Sequence, residues 1–105
     1  MPKAKTLRSK KIKDSARGMQ CTLNVSGICN YNTETTVYCH LPDESHGMAL
    51  KASDLCGCYG CSSCHDVMDG RVHSDEFRQH KDFYLRRAHV RTLNSLVDLG
   101  LLKVA

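Results

Sequence analysis

The chain has 105 residues, a formal charge of +4 and seven cysteines. A chain this short makes one domain with a thin core and often leans on a staple. The odd thiol count argues against a secreted disulfide framework, and the lack of an apolar stretch argues against a signal peptide or membrane span, so the expected staple is a metal.

The charge is unevenly placed. Residues 1–20 carry seven Lys or Arg against the single acid Asp14, whereas the remainder has eight bases against ten acids. A basic arm on a near-neutral body suits a polyanion, because each Lys near a phosphate releases a condensed counterion; a solvated tail that only aids solubility is the plainer reading. Up to residue 17 the only large apolar side chains after Met1 are Leu7 and Ile12, too few to order the segment alone. Residues 1–17 therefore read as a flexible arm offering Lys10, Lys11, Lys13 and Arg17 to a phosphate backbone, and residues 18–105 as the folded domain.

Cys21 to Cys29 alternates polar and apolar residues around Ser26-Gly27, the pattern of a short strand or an irregular finger with a sulfur at each end. The run Thr35-Thr-Val-Tyr-Cys-His40 is β-branched and aromatic, which predicts a strand ending before Pro42. Residues 43–54 have little periodicity and read as a loop. A short helix is expected from Ser62 to Gly70, since Gly is favoured just past a helix end. A longer one should start at Ser74, with Asp75 and Glu76 in its first turn, carry Phe77, Tyr84, Ala88, Leu93, Leu96 and Val97 as its apolar face, and stop at Gly100. Its polar side is rich in Arg; Arg87, with Arg71 before the helix, joins the candidate phosphate contacts, although a solvated face is the simpler account.

Four of the seven cysteines fall within residues 56–64, too clustered for ordinary core thiols. Cys61-x-x-Cys64 has zinc-knuckle spacing, and with Cys21 and Cys29 it makes a tetrahedral set that closes a long loop. The competing set is Cys56, Cys58, Cys61 and Cys64, which could hold zinc or an iron–sulfur cluster by itself. The first set is preferred, because adjacent sulfurs would strain the knuckle and leave Cys21 and Cys29 without a role; Cys56 and Cys58 are then spare thiols. His65 and Asp69 stand at i and i+4, on one helical face, where they could hold a second cation with His73 or Asp54 as third ligand. His40, at a strand end, could take a proton from water. Magnesium, manganese and zinc all suit such a nitrogen and oxygen set.

The pattern Cys21…Cys29…Val-Tyr-Cys-His40-Leu-Pro…Ser-Asp54-Leu…Cys61-Ser-Ser-Cys64-His65-Asp66…Asp69 resembles the HNH, or ββα-metal, endonucleases with a zinc knuckle. More closely it resembles the YbcO-like nucleases of lambdoid phages and prophages, related to the phage Ref recombination-enhancement nuclease. The resemblance implies an α+β fold, a small zinc-stabilised ββα-metal module followed by a long C-terminal α-helix. It also implies a metal-dependent DNA endonuclease working in the cytoplasm of a bacterial host, with a host or phage recombination protein as a candidate partner. His40 would be the general base and Asp54 the residue that orients it. His65 and Asp69 would hold a magnesium or manganese ion, and the four cysteines a structural zinc. One departure is Cys39, which stands where many such enzymes carry a metal ligand. The alternative class is a non-catalytic zinc finger that binds nucleic acid or a protein through the same basic surfaces; a redox or iron–sulfur protein is a third.

Overall fold

In the computed structural model, residues 7–41 and 53–104 are described; most of the expected loop over residues 43–54 therefore lies outside them. Among the described residues, two strands and four helices form a mixed α and β fold. A five-residue helix α1 (Lys10–Asp14) comes first, capped by Ser9, whose Oγ accepts from the Ile12 amide at 3.2 Å. So short a helix holds only through tertiary packing, and Ile12 and Ala16 are 3% and 1% exposed. Helix α1 thus lies within the segment expected as an arm. The segment orders by docking, with Ser15 Oγ 2.8 Å from Tyr59 Oη and the Asp54 amide donating to Leu7 O at 2.9 Å, partners that a residue count of the arm does not include.

The Cys21–Cys29 stretch contains no strand. Positive φ at Asn24 and Gly27 folds it into successive turns, and Leu23 and Val25 alternate into the core without any ladder. A 3-10 turn over Thr33–Thr35 leads into strand β1 (Val37–His40). It pairs antiparallel with β2 (Gly57–Gly60), Val37 opposite Gly60 and His40 opposite Gly57. Period-two alternation puts Cys39 in the core and leaves His40 and Tyr38 on the other face. β2 reads Gly-Cys-Tyr-Gly, in which only Tyr59 favours a strand, and its glycines are required by close approach. A Cβ at Gly57 would overlap the Tyr38 ring, and one at Gly60 would lie 2.8 Å from Cys39 Sγ.

Helix α2 (Ser62–Met68) starts at Cys61 and ends on Gly70, where φ is +82°; the Arg71 and Gly70 amides return to Asp66 O and Val67 O. The expected single C-terminal helix is two, α3 (Asp75–Gln79) and α4 (Lys81–Asp98), broken at His80. No Pro or Gly marks the break. It accompanies the Tyr84 hydroxyl donating to Glu76 Oε2 at 2.6 Å and accepting from the Ser26 amide, with the Phe77 and Tyr84 rings stacked at 6.0 Å. α4 lies on β2 through Tyr84, Ala88, Thr92 and Leu96. Thr92 takes the place on that face expected of Val97, which is 42% exposed. Thr92 Oγ1 accepts from the Tyr59 amide at 3.1 Å and meets Thr22 Oγ1 at 2.9 Å, tying the finger, β2 and α4 together.

Candidate metal centre and histidine site

The two halves of the finger bring Cys21 and Cys29 onto the start of α2, where all four sulfurs of Cys21, Cys29, Cys61 and Cys64 lie within 4.8 Å of one another. Tetrahedral zinc with bonds of about 2.3 Å separates its sulfurs by about 3.8 Å, and Cys29 and Cys61 Sγ are 3.9 Å apart. Backbone amides point at the sulfurs, Asn24 N at Cys21 (3.3 Å), Val25 N at Cys64 (3.4 Å) and Cys64 N at Cys61 (3.4 Å). Such donors favour thiolates. The contact with Cys64 draws the Cys21 thiol down to about 5 while raising Cys64, and burial pushes Cys29 up to about 11. Sulfurs this close cannot all ionise without a cation among them, so the donor set fits a structural zinc. Cys58 instead packs beside Cys39 in the core, both at most 1% exposed. The competing quartet with Cys56 and Cys58 is thus not assembled, and Cys39 faces no ligand position.

At the other end of the hairpin, His40 Nε2 lies 2.8 Å from Asp54 Oδ1; the imidazole side chain is 36% exposed and the carboxylate 0%. Asp54 Oδ2 accepts from the Ser9 amide at 2.6 Å, and the Tyr38 hydroxyl donates to Asp54 O. Burial pushes the Asp54 carboxyl up, but the His40 ring, the Ser9 amide and the charge of Lys13 outweigh it and hold the group below its ordinary value. Both Asp54 oxygens are thus engaged by protein donors. Burial raises the Tyr38 phenol, keeping it a neutral donor.

His65 Nε2 and Asp69 Oδ2 approach to 3.0 Å on one face of α2. Arg71 closes on the same carboxylate, 2.6 Å from Asp69 Oδ2 and 3.7 Å from Asp66 Oδ1. His73 does not join them. It pairs with Asp75 at 2.7 Å, and among the described residues the cysteine quartet is the only set of three or more such donors drawn together. Of the expected phosphate contacts, Lys10, Lys11, Lys13 and Arg17 are exposed on or just after α1. Arg87 is half-buried, its guanidinium donating to Leu23 O and Asn24 O at 3.0 and 3.1 Å beneath the Phe83 and Tyr84 rings, so it holds the finger on α4. Sequence reasoning missed Ser9 and Tyr38; their partner Asp54 stands 45 and 16 residues away, and no local pattern carries such pairings.

Residues 10–101 match the family described as "Putative nuclease YbcO". Two curated relatives carry that name, one from Escherichia coli K12 and one from Enterobacteria phage 82. Each is 38% identical over 63 residues, 59% of this chain and 66% of theirs, so the match spans just under two-thirds of their length. A solved structure described as "a putative bacteriophage protein" from Escherichia coli K-12 is similar with a TM-score of 0.69 at 30% identity, over 84% of this chain and 98% of that one. No helix among the described residues is long and apolar enough to cross a membrane. With four sulfurs gathered at one end of a two-stranded hairpin and a histidine–carboxylate pair at the other, the chain belongs to the YbcO family.

Proposed function

We propose that this chain is a metal-dependent DNA endonuclease of the HNH kind, with His40 as general base and Asp54 as the group that orients it. The observation that carries the reading is the 2.8 Å pair between a buried carboxylate and a partly exposed imidazole. An Nε2–H donated to Asp54 leaves the lone pair on Nδ1, and a ring so held can take a proton from water as the nucleophile forms. The β1–β2–α2 order and the family name support the same reading.

His65 and Asp69 would hold the divalent cation. Two donors 3.0 Å apart match adjacent ligands around an ion bonded at about 2.1 Å, and magnesium commonly takes one or two protein groups plus substrate phosphate and water. When bound, the cation stabilises the charge that develops on the phosphate and the leaving oxygen. Arg71, now on Asp69, is placed to move to a phosphate when the carboxylate turns to a cation. Lys10, Lys11 and Lys13, on the helix whose capping residue contacts Asp54, would position the backbone. A recombination protein as partner belongs to this proposal through the family resemblance alone.

The chain of His65, Asp69 and Arg71, with no third metal donor among the described residues, favours the second reading, a non-catalytic nucleic-acid-binding zinc module. Substitution His40→Ala separates the two. A nuclease loses magnesium- or manganese-dependent nicking of supercoiled plasmid and keeps its DNA binding, whereas wild-type protein that never nicks refutes the catalytic reading.

A further inference from the structure

Beside the sulfur cluster lies a cleft of about 330 Å³, lined by Cys21, Cys29, Gln20, Asn24, Tyr31 and Asn32, among others. Its size is at the lower end of the range for small-ligand sites. Tyr31 is 77% exposed, and its backbone sits at φ +56°, a region where bulky residues are rare. The turn itself is explained, because it brings the Tyr31 amide toward Cys29 Sγ. The residue type is not. At the matching turn after Cys21 the chain uses Asn24, at φ +44°, and Gly or Asn would take position 31 at less cost. The Tyr31 ring gains little from burial in exchange, so its face is available to a ligand.

The loop that presents the ring is anchored. The Asn30 side chain accepts from the Asn32 amide at 2.8 Å and donates to Ser62 Oγ at 3.0 Å, at the first turn of α2. The adjacent wall selects the ligand by charge. Four thiolates around one divalent cation carry a net charge of −2, so the Cys21 and Cys29 side repels a phosphate and accepts a neutral ring with N–H groups. An aromatic face beside carboxamides fits a nucleobase, but a paired base inside a duplex offers no face to stack on.

We propose that this cleft holds an unpaired base of single-stranded DNA, stacked on Tyr31 with its edge toward Gln20, Asn24 and Asn32. The proposal rests on the nucleic-acid half of the reading above and not on cleavage. Cys61 directly follows Gly60, so the cleft lies toward the Val37–Gly60 end of the hairpin. His40 stands at the Gly57 end, three residues or about 10 Å along the strand. A strand held by its base would then run along the hairpin toward the histidine.

The test is fluorescence anisotropy of the zinc-loaded full chain, without magnesium, on labelled oligothymidylate and on an abasic oligomer with the same number of phosphates. Wild type should prefer the oligomer with bases by roughly 5- to 150-fold, the effect of one stacked base. Tyr31→Gly, which suits the positive φ, should erase that preference, and Tyr31→Phe should keep it. Lys11→Ala should weaken both oligomers alike. Equal binding of the two oligomers by wild type, a preference that survives in Tyr31→Gly, or tighter binding of oligouridylate than of the DNA would overturn the assignment. A preference present in a protein that never nicks plasmid upholds the base site and refutes the nuclease instead.

Discussion

Substituting Asp54→Asn tests the histidine site with almost no change of shape. The carboxylate accepts from the Ser9 amide at 2.6 Å and from His40 Nε2 at 2.8 Å, from a side chain that is 0% exposed. Hydrogen bonds to a buried charge contribute about 1.5–3 kcal/mol each and neutral ones about 1 kcal/mol. The amide can still accept from Ser9, but it must turn its NH₂ to His40, so one charged bond becomes neutral and the other is lost or reversed. The expected loss is about 2–3 kcal/mol, which for a domain near this size lowers the melting temperature by about 10–20 °C. Circular dichroism of the zinc-loaded protein at neutral pH reads it.

The pH dependence has a defined sign. A carboxyl held below its ordinary value of about 3.9 stabilises the fold above that pH and loses its contribution as pH falls through the lower native value. The gap between wild type and Asp54→Asn should therefore persist near neutrality and close on acidification below about pH 4. Nicking should fall by roughly 10²–10⁴, the usual contribution of general-base catalysis, because an NH₂ facing Nε2 selects the other tautomer and removes the lone pair from Nδ1. A melting temperature unchanged within about 2 °C, or full nicking, would refute the reasoning.

Zinc analysis of the purified protein should give one ion per chain. Its removal by a chelator, or Cys64→Ser, should collapse the dispersion of the NMR spectrum, since structural zinc binds with about 10–16 kcal/mol against a total domain stability of about 5–15 kcal/mol. Thr92→Val, which deletes the hydroxyl between Tyr59 N and Thr22, should cost about 1–2 kcal/mol in urea unfolding while leaving nicking unchanged. Gly57→Ala should cost about 1–3 kcal/mol and lower nicking as well, because the Tyr38 ring it displaces bonds the Asp54 carbonyl. Replacing Lys10, Lys11 and Lys13 together by Ala should weaken DNA binding and reduce its log–log salt slope by about 0.7–0.9 for each phosphate that is no longer neutralised.

Several features were legible in the residues alone because each depends on a few neighbours. Cys61-x-x-Cys64 announces a pair of candidate metal ligands by spacing. Ser74 marks a cap and Gly70 and Gly100 mark helix ends, because amides and carbonyls at helix termini need partners within a few residues. The strand into His40 followed from its β-branched and aromatic run.

Other features depend on distant partners. Ile12 looks insufficient until β1 and Tyr59 are there to receive α1. Gly57-Cys-Tyr-Gly60 has only Tyr59 to favour a strand, and its glycines leave the space that Tyr38 and Leu23 occupy beside it. The helix break at His80 accompanies contacts of Glu76 and Tyr84, and Arg87 is drawn from solvent by two carbonyls more than sixty residues upstream. Local chemistry, capping and ligand spacing, was thus written in the chain. The docking of α1, the second strand and the identity of the groups holding Asp54 came from packing, in which each segment is stabilised by surface that another segment supplies.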